Sequence, residues 1–94
     1  MFVTVWKFVV KPGSATEFER HYGPEGTWAA LFRQSSGYVR TELFRGDDNA
    51  YLTIDYWVNA DAFRDFRDAH GADYERLDAQ MESLTEREEA IVTV

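Results

Sequence analysis

The sequence predicts an α+β domain, a four-stranded antiparallel sheet with helices packed on one of its faces. Three observations carry that prediction. Tyr38–Arg45 and Tyr51–Val58 alternate with the period of two expected of strands, and Gly46-Asp47-Asp48-Asn49 between them has the composition of a hairpin turn. Two other stretches repeat their apolar residues at helical spacing: Ala15, Phe18 and Tyr22, then Tyr74, Leu77, Met81 and Leu84. Finally, Phe2–Val10 is dense in valine and aromatics, which suit a pleated, packed surface.

Taken in order, the first strand stops at Pro12-Gly13. Ser14, three residues before Glu17, forms the pattern of a capping box, in which each side chain satisfies a backbone N–H at the helix start. Gly23-Pro24 ends that helix and allows a second one, whose buried face is marked by Trp28, Leu31 and Phe32. Gln34–Gly37 reads as a loop before the hairpin. Asn59 stands where a helix N-cap belongs, followed by the stripe Ala62, Phe63, Phe66, Ala69 and His70, which Gly71 interrupts. A final short strand is expected at Ala90–Val94. The order β-α-β-β-α-β is that of ferredoxin-like folds, and residues 1–94 contain no linker or low-complexity stretch, so one domain is expected.

Both parities of the first strand are apolar: Val3, Val5 and Val9 on one side, Phe2, Trp6 and Phe8 on the other. A sheet that is hydrophobic on both faces needs cover on both. Helices supply one side, and a second copy of the same sheet is the simplest cover for the other, so a homodimer is expected. Composition points the same way. Hydrophobic residues are 45% of the chain and aromatics 16%, more than a monomer of 94 residues easily hides.

Charge and residue usage exclude several classes of function. The net charge is −7, and ten of the seventeen acidic residues fall between Asp61 and Glu89, against four Arg. Such a surface repels phosphate backbones and anionic lipids, so neither nucleic acid nor membrane is an expected partner. With no Cys and two His that lack helical i, i+4 pairing, no metal site is expected. The absence of a signal-like N-terminus leads to an expectation of cytoplasmic location.

Several stretches together resemble a known family. The opening strand running into Pro12-Gly13, the Gly37-Tyr38 pair, and Thr53-Ile54-Asp55-Tyr56-Trp57 followed by Ala62-Phe63 are similar to the antibiotic biosynthesis monooxygenase family of dimeric α/β-barrel proteins. The resemblance implies two four-stranded sheets closing an eight-stranded barrel across a dimer axis, with a cleft between each sheet and its own helices. Catalytic members oxygenate polycyclic phenols or quinols without metal or flavin, or bind and degrade heme. In the heme-degrading branch, an Asn, a Trp and a His occupy the places that counting from Trp57 assigns here to Trp6, Phe66 and Arg76. None matches, so heme degradation is disfavoured and no cofactor is expected. The implied function is cofactor-independent oxygenation of a planar aromatic small molecule; the alternative is a non-catalytic dimeric binding or structural module.

Candidate residues follow. Trp6 is an aromatic wall for a planar substrate or core filler, the latter being the commoner fate of a strand aromatic. His70, on an apolar helix stripe, suits a general base near neutral pH, or simply caps carbonyls. His21 is expected on the solvent side. Arg40 is the second catalytic candidate, able with a paired carboxylate to hold a polar substrate group; with Asp55 across the hairpin from Arg40 or Glu42, a cross-strand salt bridge between the arginine and a carboxylate at the dimer seam is the plainer reading. Tyr56, Tyr74, Phe66 and Trp28 complete the set of substrate-binding candidates. Trp57 is expected to lock the corner before a helix. Tyr22–Trp28, with two Gly around a Pro, reads as a lid or as a tight connector. Asp61, Arg64 and Asp68 form an exposed ion-pair row.

Overall fold

The computed structural model describes all 94 residues. Its elements are β1 (Phe2–Val10), α1 (Ala15–Tyr22), α2 (Thr27–Phe32), β2 (Tyr38–Arg45), β3 (Ala50–Trp57), α3 (Ala60–Met81), a single 3-10 turn at Glu82–Leu84, and β4 (Thr85–Thr93). All strand pairs are antiparallel and the sheet order is β2-β3-β1-β4. This is the ferredoxin-like arrangement expected from the sequence, with the first helical segment split in two. No helix is long and apolar enough to cross a membrane.

Local chemistry explains most boundaries. Asn59, in extended conformation, accepts the Ala62 N–H on Oδ1 at 2.8 Å and starts α3. The β2–β3 turn uses left-handed Asp48 and Asn49 (φ 55° and 64°), conformations that these two residue types tolerate well. Gly26 is required by a close approach: a Cβ there would lie 2.6 Å from the His21 carbonyl oxygen.

Three expectations need correction. The Ser14–Glu17 capping box does not form. Left-handed Gly13 closes a turn in which Ser14 N donates to Lys11 O at 3.0 Å, so Ser14 lacks the extended geometry of a cap and its side chain makes no cap hydrogen bond. The helix interruption expected at Gly71 falls one residue earlier, at a kink on non-helical His70 (φ −121°, ψ 23°) that joins two helical stretches within Ala60–Met81. The last strand begins at Thr85 rather than Ala90. Its acidic first half pairs with β1, Lys7 standing opposite Glu89 and Val9 opposite Arg87. Backbone pairing to an open edge, aided by the Lys7–Glu89 charge match, overrides the unfavourable composition.

The core lies between the sheet and the helices. Fully buried Trp57 sits among the rings of Phe32, Tyr38, Phe63 and Phe66 at centroid distances of 5.2 to 5.5 Å. Phe18 stacks on Tyr22 at 4.1 Å, with Phe8 edge-on to both. Each such buried ring contributes on the order of 2–3 kcal/mol. The opposite face of the sheet is also apolar. Val3, Val5 and Val9 are half-buried there, while Phe44 and its register partner Leu52 are 50% and 38% exposed.

Candidate functional site

Between the sheet and its helices opens a cleft of about 460 Å³, counted to its mouth. Its interior has room for a few waters. Trp6 and Phe8 of β1 form one wall, Trp28 and Phe32 of α2 another. Tyr22 closes the α1 side and Tyr74 the α3 side, its ring edge-on to Trp28 at 5.0 Å.

The floor is polar. Thr4 and Thr41 flank Asp55 in register on the two neighbouring strands, so the three side chains form a row across β1, β3 and β2. Thr41 Oγ1 donates to Asp55 Oδ1 at 2.6 Å, and the Tyr38 hydroxyl lies 2.7 Å from Thr41 Oγ1. Burial of the carboxylate pushes Asp55 up to about 6, against the hydrogen bonds from Thr41 and Thr4, which favour the charged form. No cation pairs with it. Burial also raises the Tyr22 and Tyr74 hydroxyls, keeping both protonated at neutral pH. The Trp28 indole N–H, on a residue only 7% exposed, has no acceptor in line, although the Tyr22 hydroxyl is near enough to feel it. Such a floor and walls can accept a proton near neutral pH and donate to a ring oxygen. No three His, Cys, Asp or Glu side chains gather as a metal-ligand set.

Of the residues singled out from sequence, Trp6, Trp28 and Tyr74 meet in this cleft. Phe66 is buried behind it, 5.3 Å from Phe32. His70 does not line it: the imidazole stacks on Phe66 at 5.4 Å and its Nδ1 lies 3.6 Å from Asp73 Oδ2. Arg40 and Tyr56 are together but on the other face of the sheet. The Arg40 guanidinium sits 3.9 Å above the Tyr56 ring, and the Tyr56 hydroxyl donates to Glu42 at 2.5 Å. The expected salt bridge to Asp55 is therefore absent. Register explains this, since Thr41 stands opposite Asp55 and strand pleating sends Arg40 and Glu42 the other way.

His21 also departs from expectation, its Nδ1 bonding Thr27 Oγ1 at 2.7 Å and tying α1 to α2. Arg33 donates to the Pro24 carbonyl at 2.8 Å and pairs with Glu25 at 3.2 Å. Tyr22–Trp28 is thus a fastened connector in this conformation. Arg64 pairs with Asp61 as the exposed row predicts. The sequence reading missed Thr41, Thr53, Asp78 and Glu88 as cleft residues and took Asp55 for an ion-pair partner. The alternation that aligns Asp55 with Tyr51, Thr53 and Trp57 was the available signal.

A ferredoxin-like sheet with an aromatic cleft between it and its helices places the chain in the α+β class. The chain belongs to the antibiotic biosynthesis monooxygenase family, whose model matches residues 1–79. Among solved structures it is similar to SnoaB, a cofactor-independent oxygenase from Streptomyces nogalater. The identity is 28%, over 97% of this chain and 90% of that one, with TM-scores of 0.73 and, for a mutant, 0.75. A putative antibiotic biosynthesis monooxygenase from Deinococcus radiodurans (14% identity, TM-score 0.73, covering 100% of this chain and 90% of that one) shares the fold. So does PA3566 from Pseudomonas aeruginosa (17% identity, TM-score 0.68, 99% and 90% covered). No match is found among curated protein sequences.

Proposed function

We propose that the chain is a cofactor-independent monooxygenase-like protein that oxidises a planar phenol- or quinol-type aromatic, with Asp55 as the general base. The observation that carries this reading is a hydrogen-bonded carboxylate without a counter-cation, raised to about 6, on the floor of an aromatic cleft. At neutral pH the group is ionised yet basic enough to take a phenolic proton. The resulting phenolate, held against Trp6 and Trp28, donates electrons to O₂. O₂ adds at a ring carbon that bears hydrogen and the proton held by Asp55 passes to the peroxide; loss of that carbon's proton with cleavage of the O–O bond then releases water and leaves one oxygen atom in the product as a carbonyl. The Trp28 N–H stabilises the developing oxyanion. His70, the base expected from sequence, sits outside the lining, so the role passes to Asp55.

The working unit in this reading is a homodimer. Val3, Val5, Val9, Phe44 and Leu52 form an apolar sheet face that a second copy would cover. The Arg40–Tyr56–Glu42 group then belongs to the seam between subunits.

Oxygen uptake with anthrones, quinols and catechols tests the reaction. Turnover that falls at least a hundredfold in Asp55→Asn and in Trp6→Ala supports it; turnover indifferent to both substitutions contradicts it. The absence of His70 from the cleft lining favours one competing reading, a non-catalytic binding module. That reading predicts ligand-dependent thermal stabilisation with no oxygen consumed.

A further inference from the structure

The cleft is unbalanced in charge. Asp55 stands on its floor, Asp78 of α3 and Glu88 of β4 stand at its mouth, and no Lys, Arg or His lines it. None of the three carboxylates makes an ion pair. Asp78 and Glu88 are close enough to act on each other, and burial together with Asp78 and Glu82 raises the Glu88 carboxyl. The nearby Arg67 guanidinium is engaged with an aromatic face, 4.0 Å from the Tyr74 ring. A second, independent feature points to a ligand: the unpartnered Trp28 Nε1 among these walls, on a side chain more than nine-tenths buried.

These observations fit together if a ligand supplies what the cleft lacks. Two neighbouring carboxylates with no counter-cation are relieved by a positive charge, and the aromatic faces of Trp6 and Trp28 attract one as well. A ligand bearing a carboxylate would meet three like charges. Resting on the reading of the cleft as an aromatic site, we propose that its substrate is a planar aromatic carrying a protonated amine. The amine sits between Asp78 and Glu88, and a ring oxygen accepts from Trp28 Nε1. Asp78 and Glu88 are thus specificity determinants.

Three naphthols that differ in one substituent test this by calorimetry at pH 7.5 and low salt: aminomethyl, hydroxymethyl and carboxymethyl. The ammonium compound is expected to bind at least tenfold tighter than the alcohol, and the carboxylate at least tenfold weaker. In the double variant Asp78→Asn, Glu88→Gln the ammonium and alcohol should come within twofold of each other. If the alcohol binds and the three affinities are equal or reversed, or if the double variant keeps the wild-type order, the charge assignment is wrong while the aromatic cleft stands. If none of the three binds, both fall.

Discussion

Replacing Asp55 with Asn should make the protein more stable and less active at once. Burial raises the carboxyl from 3.8 to about 6. That is about two units, and at roughly 1.36 kcal/mol per unit the ionised form costs the native state about 3 kcal/mol, somewhat less where solvent at the cleft screens it. Because the folded value lies above the unfolded one, the native state binds the extra proton between about pH 4 and pH 6. Stability therefore falls as pH rises through that window, and the full cost is present above it. The amide keeps the shape and the Thr41 hydrogen bond but carries no charge. Urea unfolding followed by Trp fluorescence, at one fixed protein concentration, should show Asp55→Asn more stable by about 3 kcal/mol at pH 7.5 and by about half of that at pH 5. A functional group held at a cost to stability predicts lost oxygenation in the same variant. A variant less stable at both pH values, or an advantage that does not change with pH, would refute the reasoning.

Other consequences follow from separate parts of the molecule. Trp28→Phe keeps an aromatic wall and deletes the unpartnered N–H; its melting temperature should hold, while Kd for an oxygen-bearing aromatic rises about 2- to 10-fold, one neutral hydrogen bond. Gly26→Ala forces a Cβ against the His21 and Arg20 carbonyl oxygens, so thermal unfolding should show a loss of about 1–3 kcal/mol. Leu52→Asp places a charge on the outer apolar face, and sedimentation should find it monomeric at concentrations where the parent is dimeric; two identical profiles would remove that face from the assembly.

The fold was legible because its strongest patterns are local. The alternation of Tyr51–Trp57, the Asn59 cap and the Trp28, Leu31, Phe32 stripe each read correctly without knowledge of the partner element. Features set by pairing were not. Thr85–Glu89 carries no strand pattern of its own and becomes β4 only because β1 offers an edge. The register irregularity between Tyr38 and Arg40 turns Tyr38 toward Trp57 and Thr41, which strict alternation would forbid. The site suffered most from this. Trp6, Trp28 and Tyr74 were found because aromatics announce themselves, whereas Asp55 looks like any strand carboxylate until its register partners prove to be two threonines instead of an arginine. Glu88 stayed hidden because its strand did.

Asp55 as the base in an aromatic cleft is tested most directly by the pH dependence of oxygen uptake with a phenolic substrate. The value of kcat/KM should rise with pH through an apparent pKa near 6 and level above it, and Asp55→Asn should abolish both the step and nearly all of the rate. A rate that is flat from pH 5 to 8 in the parent protein, or a step that survives in Asp55→Asn, would contradict the account.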